Sequence, residues 1–214
     1  MTDFYEQLAA AYVRGMRPDI GSTADPAEMF AQARAAGLKL HRFKRTMDLP
    51  RVRAVLGILR GVAPESLIDF GTGRGVFLWP LLDAFPHLPV TAVERDERRL
   101  GHLEAVRRGD VERLAVMRSD VDALPFEAGS FDVATVLEVL EHQHDPLPMA
   151  REAVRLARRF VIASVPSKPD DNPEHVQLFT RETPKALLMQ AGARSVTVEY
   201  VLGHMIGVSR VCPT

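Results

Sequence analysis

The chain has 214 residues, of which 46% are hydrophobic, so it is long enough to bury one substantial core and is expected to form one domain with a small elaboration. Its formal net charge of -1 excludes a global field that would attract nucleic acid or an acidic membrane. The single cysteine, Cys212, excludes an internal disulfide and a metal site built from several cysteines, and it favours a reducing compartment.

The start of the chain and its apolar runs bear on location. Acidic residues stand at Asp3 and Glu6, where a secretory signal carries basic ones, and no apolar run approaches membrane-spanning length. We therefore expect a cytoplasmic protein that has no membrane partner.

Three amphipathic helices are predicted near the start of the chain, in segments 1–16, 24–37 and 49–62. The second has Asp25 at a typical N-cap position and Pro26 in its first turn. The first sixty or so residues are thus expected to be helical.

From Ser66 onward, short apolar runs alternate with helical stretches, a rhythm typical of βαβ units in a mostly parallel sheet with both faces covered. Only Gly203 and His204 separate the last two runs, too few residues for a crossover helix, so these strands are expected to pair as an antiparallel hairpin at one edge. The predicted strands are 66–70, 90–94, 114–117, 131–137, 160–165, 195–202 and 205–211.

The stretch LIDFGTGRGVF, residues 67–77, leads from the first predicted strand into a turn with glycines at Gly71, Gly73 and Gly75. In a doubly wound sheet this turn brings the backbone close to a ligand, and the following helix presents its first N–H groups to a negative group. Val76 stands where the dinucleotide fingerprint needs a small residue, and Gly-Lys-Ser/Thr is absent from the turn. NAD and ATP are therefore disfavoured.

Two acids narrow the choice of ligand. Glu94 ends the second predicted strand about twenty residues after the glycines, where an acid accepts hydrogen bonds from both hydroxyls of a ribose. Asp69 would repel a pyrophosphate, but it would attract the ammonium of an amino-acid group. S-adenosylmethionine (SAM) carries a ribose, an ammonium and a carboxylate, so these residues favour it.

Several motifs together resemble the class I SAM-dependent methyltransferases, particularly the type 11 group that includes ubiquinone- and menaquinone-pathway enzymes. The resemblance covers residues 67 to about 192 and implies an α/β fold: a Rossmann-like, doubly wound sheet of seven strands in the order 3-2-1-4-5-7-6, with the last strand antiparallel. The matching stretches are LIDFGTGRG, VTAVERD, RSDVDALPFEAGSFDVATVLEVLEH, DP and RLARRFVIASVP.

The same resemblance implies the residues that bind SAM and its product, S-adenosylhomocysteine. The acid and glycines of the first turn would surround the methionine part, Glu94 would hold the ribose, and Asp120 would accept from the adenine amine, with Val121 beside the ring and Arg95 over it. Each of these motifs is weak alone. The full expected set is Asp69, Gly71, Thr72, Gly73, Gly75, Glu94, Arg95, Asp120, Val121 and Glu138.

The helical segment 1–61 is interpreted as a lid over a SAM-binding core, residues 62–214. Phe4 and Tyr12 either line the substrate pocket or pack the lid onto the core. The basic run KLHRFKR, residues 39–45, would attract an anionic substrate or an RNA in one interpretation, whereas in the favoured one it is a solvated charged segment.

Methyl transfer from a sulfonium depends mainly on positioning, and a base helps when the nucleophile is a hydroxyl or an acidic carbon. His142, in the loop after the fourth predicted strand, is the candidate base, and His175, in the loop after the fifth, is the second candidate catalytic residue. In the alternative interpretation His142 only binds the backbone and His175 only orders its loop. His144 is expected to be exposed.

Glu138, Glu141, His142 and His175 also provide two carboxylates and two imidazoles that a divalent metal can use, the first three at helical spacing. In this they resemble the metal-dependent 2′-O-methyltransferases that act on the 3′ ends of small RNAs. However, the extended RNA-binding elements of that family are absent, and Glu-x-x-Glu-His is common in the metal-free type 11 group. We therefore assign no metal ligand from the sequence.

We expect methyl transfer to an oxygen or carbon of a small-molecule acceptor by a monomer or homodimer, with nucleic acid as the less favoured partner. The first alternative is a metal-assisted RNA 2′-O-methyltransferase, which predicts a steep dependence of activity on salt. The second is a non-catalytic, SAM-binding regulatory protein.

Overall fold

The computed structural model describes residues 3–45, 48–120, 124–169 and 172–211. Its centre is a seven-stranded sheet in the order β3-β2-β1-β4-β5-β7-β6, in which β7 runs in the direction opposite to the other six strands. This confirms the predicted fold class and strand order. The strands are β1 Leu67–Phe70, β2 Val90–Glu94, β3 Leu114–Arg118, β4 Phe131–Leu137, β5 Ala157–Pro166, β6 Ser195–Val201 and β7 His204–Arg210.

Eight α-helices lie in the described part of the chain, together with two short 3-10 turns at Leu40–Arg42 and Leu140–His142. The predicted N-terminal helices are present, and Asp25 accepts a hydrogen bond from the Ala27 N–H at 3.0 Å, as expected of an N-cap. The helices are α1 Phe4–Met16, α2 Pro18–Gly21, α3 Pro26–Ala35, α4 Pro50–Val62, α5 Leu78–Ala84, α6 Glu97–Arg108, α7 Leu147–Leu156 and α8 Thr183–Gln190.

Several strand boundaries differ from the sequence prediction, and strand pairing explains two of them. β5 begins at Ala157, three residues earlier than expected, because Ala157 still pairs with Phe131 of β4 directly after α7 ends. The hairpin turn consists of Leu202 and Gly203, since His204 already pairs with Val201. Gly203 has a φ of +82°, and that left-handed position is where glycine is preferred in tight turns.

The sheet separates two hydrophobic clusters. Leu67 and Ile68, neighbours on β1, belong to different clusters because successive side chains of a strand point to opposite faces. The first cluster includes residues of α1, α4, α5 and α6, and the second includes residues of α7 and α8. All four residues of β1 are buried, as in a central parallel strand covered on both faces.

The N-terminal helix α1 packs closely on α6. A Cβ added to Gly15 would lie 1.9 Å from the Ala105 carbonyl oxygen, so the two helices approach at a distance that only glycine permits here. The basic run covers this helix from outside, since the Arg42 guanidinium lies 5.1 Å from the centre of the Tyr12 ring. None of the helices in the described ranges has the length and apolar composition that a bilayer crossing requires.

Candidate functional site

A cavity of about 530 Å³ opens beyond the carboxyl ends of β1, β2 and β4. The strand order reverses direction between β1 and β4, and ligands of doubly wound sheets bind at such a switch point. One wall consists of the glycine turn and the connection from β2 to α6. A second wall consists of the end of β4, the turn that follows it and part of the loop after β5, and it includes His142, Gln143 and Glu174.

The glycine turn has left-handed conformations, with φ of +65° at Gly71 and +81° at Gly75. A Cβ at Gly71 would lie 2.6 Å from Cγ2 of Val139, and one at Gly75 would lie 2.2 Å from the ring of Trp79. The indole N–H of Trp79 donates to the Arg74 carbonyl at 3.1 Å. Gly75 is therefore required by packing inside the protein, a role that its motif did not reveal.

Asp69 lies on the cavity wall and is 2% exposed. Its Oδ1 accepts from the Thr135 hydroxyl at 2.6 Å and its Oδ2 from the Thr72 hydroxyl at 2.9 Å. Burial raises the pKa of Asp69 to about 6, the negative Glu94 adds to this rise, and the two hydroxyls oppose it. A cation placed beside this carboxylate would therefore be strongly favoured.

Glu94 also lies on the cavity wall, but its carboxylate is engaged by the backbone. Oε2 accepts from the Gly73 N–H at 2.7 Å, and Oε1 accepts from the N–H groups of Arg95 and Asp96, each at 2.9 Å. These bonds join the glycine turn to the connection after β2. Arg95 and Asp120 line the same cavity, whereas the predicted Val121 lies outside the described residues.

Glu138 directly follows β4 and has an uncommon conformation for a side-chain-bearing residue, with a φ of +56°. Its Oε1 accepts from the Ser164 hydroxyl at 2.7 Å, its Oε2 lies 3.0 Å from Nε2 of His204, and the Arg51 guanidinium is 3.8 Å away. These partners come from β5, β7 and α4, so only the sheet order brings them together. The helical spacing assumed for Glu138 is wrong.

His142 is the last residue of the 3-10 turn after β4, and it lines the cavity. Its Nδ1 lies 2.9 Å from the Glu174 carbonyl oxygen. The Val176 N–H also donates to the Glu141 carbonyl at 2.9 Å, and the Gln177 amide donates to the Leu140 carbonyl at 3.2 Å. The loop after β5 is thus fixed on the turn.

His175 lies next to His142, outside the set of cavity-lining residues among those described. The two rings meet edge to face with centroids 4.8 Å apart, and Nε2 of His175 is 4.0 Å from Oε1 of Glu141. His144 is exposed, as expected. The structure therefore brings both candidate catalytic histidines together and places one of them on the wall.

Residues 68–161 match a family model described as a methyltransferase domain, of type 11. Residues 68–161 of this chain form a methyltransferase domain. The family predicted from the motifs is confirmed, and SAM is the cofactor of this methyltransferase.

Solved structures show the same fold. A SAM-dependent methyltransferase from Aquifex aeolicus has a TM-score of 0.62 and 20% identity, over 77% of this chain and 90% of that one. An O-methyltransferase family protein from Burkholderia thailandensis has a TM-score of 0.59 and 17% sequence identity, and the match covers 76% of this chain and 57% of that one. The methyltransferase domain of bacterial CtHen1-C has a TM-score of 0.60 and 21% sequence identity, and the match covers 76% of this chain and 97% of that one. No curated protein matches the chain significantly.

The N-terminal helices of the methyltransferase contribute little to the cavity. Among the described residues before the core, those that line it are Arg51, Val52 and Val55, all on α4. Tyr12 is 2% exposed and packs on Phe43, with ring centroids 5.2 Å apart, so it takes the packing role of the two that were considered. The lid and its boundary at residue 61 stay predictions.

Proposed function

We propose that this methyltransferase transfers the methyl group of SAM to an oxygen or carbon of a small-molecule acceptor, with both bound in the cavity. The observation that carries the proposal is the pairing of the two walls. The buried carboxylates of Asp69 and Glu94 lie on one wall, and the imidazole of His142 lies on the other. A volume of about 530 Å³ is in the usual range for small-molecule sites.

For the cofactor, we assign its ammonium to Asp69, because this buried carboxylate gains most from a positive partner. Thr72 acts through Asp69, to which its hydroxyl donates. Gly71, Gly73 and Gly75 shape the turn around the methionine part.

The nucleoside extends along the same wall. Glu94 accepts from the ribose while its backbone bonds hold it in place, and Arg95 and Asp120, which line the same cavity, lie beside the adenine. Glu138, which is at the end of β4, faces the cavity near the reacting groups.

His142 is the residue we assign as general base. The Glu174 carbonyl can only accept a hydrogen bond, so Nδ1 carries the hydrogen and Nε2 of the neutral ring keeps its lone pair. Nε2 takes the proton of the acceptor O–H or C–H, and the acceptor atom forms its bond to the methyl carbon. The bond from sulfur to methyl breaks, sulfur keeps the electron pair, and S-adenosylhomocysteine leaves. His175 orients His142 through the ring contact.

Calorimetric titration tests cofactor binding. We expect SAM and S-adenosylhomocysteine to bind with micromolar affinity, and absence of heat with both ligands would overturn the proposal.

Turnover tests the chemical role of His142. With an acceptor found by screening small hydroxyl and carbon acids, His142→Gln should lower kcat by about 100-fold or more without changing the affinity for SAM. His144→Gln, in the same loop and exposed, is the matched control. Tight SAM binding without turnover on any acceptor would instead support the regulatory alternative.

A further inference from the structure

His204 connects the hairpin at the edge of the sheet with the wall of the cavity. It is the first residue of β7, and its Nε2 lies 3.0 Å from Oε2 of Glu138, which directly follows β4. Glu138 lines the cavity, whereas His204 is outside the cavity lining in the part of the chain that the structure describes. The hairpin thus reaches the site through one side chain, to which methyl transfer as proposed above gives no role.

The position of His204 is set by the sheet. It pairs with Val201 across the hairpin turn and with Pro166 of β5 on its other side. Its Nδ1 is 3.2 Å from the Leu202 carbonyl oxygen, which can only accept a hydrogen bond. In its protonated form the ring therefore donates to this carbonyl and pairs with the Glu138 carboxylate at the same time.

Glu138 is held in place by two strands. Its left-handed backbone, with a φ of +56°, is costly for a side-chain-bearing residue unless the surroundings fix it. The Ser164 carbonyl accepts from the Glu138 N–H at 3.0 Å, and the Ser164 hydroxyl donates to Oε1 at 2.7 Å. Oε2 is left for His204, and the Arg51 guanidinium is farther away, at 3.8 Å. Each carboxylate oxygen thus has one close partner, Ser164 on β5 or His204 on β7.

The charge of this carboxylate bears on the reacting atom of the cofactor. SAM carries a positive sulfonium, whereas S-adenosylhomocysteine carries a neutral thioether. In the proposed function the methyl group faces the wall with His142, and Glu138 precedes His142 on that wall. Asp69 and Glu94 are assigned to the ammonium and the ribose, which both molecules carry. Glu138 is therefore the carboxylate that attracts SAM and gains nothing from the product.

We propose that His204 is a positioning residue through which the methyltransferase distinguishes SAM from S-adenosylhomocysteine: it holds the Glu138 carboxylate where that carboxylate faces the sulfonium. This inference rests on the proposed function, which places the reacting methyl group at this wall. Specificity is a difference between two affinities, and here the attraction is lost as soon as sulfur gives up the methyl group. The arrangement favours binding of SAM and release of the product.

Calorimetric titration of the full chain with SAM and with S-adenosylhomocysteine tests this role without any acceptor. Glu138→Gln should weaken SAM binding by about 10-fold and change binding of the product by less than about twofold. His204→Leu should weaken SAM binding by about fivefold, again with little effect on the product, because Ser164 still holds Oε1. His204→Gln, whose amide N–H can donate to Oε2, should restore the ratio of the two affinities to within about twofold of the original.

Two matched controls should leave this ratio unchanged. Glu199→Gln removes an exposed carboxylate from the same hairpin, and His144→Leu removes an exposed imidazole. Equal weakening of both ligands in His204→Leu, or no weakening of either, would overturn the positioning role. Failure of His204→Gln to restore the ratio would overturn it as well. His204→Asn, whose amide is too short to reach Oε2, replaces His204→Leu if that variant does not fold.

The same titrations keep this inference apart from the proposed function. If the original chain binds both ligands but the His204 variants leave the ratio of affinities unchanged, only the role of His204 is contradicted. If the original chain binds neither ligand, the proposed function is contradicted, and the role of His204 with it.

Discussion

Two aspartates in the central strands are buried to nearly the same extent in opposite electrostatic surroundings. Asp69, towards the carboxyl end of β1, is 2% exposed, and both of its carboxylate oxygens accept from threonine hydroxyls. Asp132, at the amino end of the neighbouring β4, is 1% exposed. It accepts from the Glu65 N–H at 2.8 Å and from the Arg158 guanidinium at 3.0 Å.

The pKa values of the two carboxyl groups follow these partners. Burial raises the pKa in both places, and at Asp69 this effect prevails, so its pKa rises to about 6. At Asp132 the Glu65 N–H and the Arg158 guanidinium outweigh burial, and the pKa falls below its usual value. The amino end of the sheet thus compensates its buried charge within the chain, whereas the carboxyl end leaves its charge for a ligand to compensate.

The largest effect on folding is expected at Asp132. Asp132→Asn removes the negative charge to which the Arg158 guanidinium and the Glu65 N–H donate hydrogen bonds. We therefore expect the free energy of unfolding to fall by about 3 kcal/mol. This is near the lower limit for a buried ion pair because the Arg158 side chain is 54% exposed. Urea denaturation measures the loss, and calorimetry should find SAM affinity unchanged. A weakened affinity for SAM would mean that Asp132, at the amino end of the sheet, also serves ligand binding, which would contradict the proposed difference between the two ends of the sheet.

Asp69→Asn should give the reverse result. Loss of the charge that holds the cofactor ammonium should weaken SAM binding by about 30-fold, close to 2 kcal/mol. The free energy of unfolding at pH 8 should not fall, because the variant no longer buries an ionised carboxylate. Calorimetry and urea denaturation of the same sample check both statements. A variant that loses stability and keeps its SAM affinity would show that Asp69 is purely structural.

The pH dependence separates the same two residues. The pKa of Asp69 is raised from 3.8 to about 6 on folding, so the stability from its protonated form is fully present below pH 3.8 and is lost as pH rises through 6. SAM affinity changes in the opposite sense, and should fall by up to about tenfold per unit below pH 6. Calorimetry between pH 5 and 8 measures this slope, which Asp69→Asn should flatten. If the slope is unchanged in Asp69→Asn, the pH dependence of SAM affinity comes from another titratable group.

Local patterns predicted the elements well, and contacts across the sheet account for what they missed. The glycine turn and the strand rhythm gave six of the strands to within a residue or two, because each depends on neighbouring residues alone. The partners of Glu138 could not be predicted, since Ser164, His204 and Arg51 become its neighbours only through the strand order and the packing of α4.

The site residues divide in the same way. Asp69, Glu94 and the glycines could be predicted as cofactor-binding residues because their spacing along one βαβ unit is a fixed motif. The sequence does not show that Glu94 accepts a hydrogen bond from the Gly73 N–H. It also does not show that Gly75 makes room for the ring of Trp79. The meeting of His142 and His175 depends on how a loop docks, which no periodicity encodes.

The smallest expected effect concerns the cross-strand neighbour of Asp69. Thr135 faces Asp69 in the register between β1 and β4, and its buried hydroxyl donates to Oδ1 at 2.6 Å. Thr135→Val keeps the shape and removes that donor, which is among the groups that lower the pKa of Asp69. The midpoint of the pH dependence of SAM affinity should therefore move upward by about half a unit to one unit, equivalent to about 1 kcal/mol. Thr91→Val, on the neighbouring β2 and paired with Ile68, is the control that should leave the midpoint in place. A midpoint that moves downward in Thr135→Val would mean that the hydroxyl stabilises the protonated carboxyl, and it would contradict a buried negative charge that is left for the ligand to compensate.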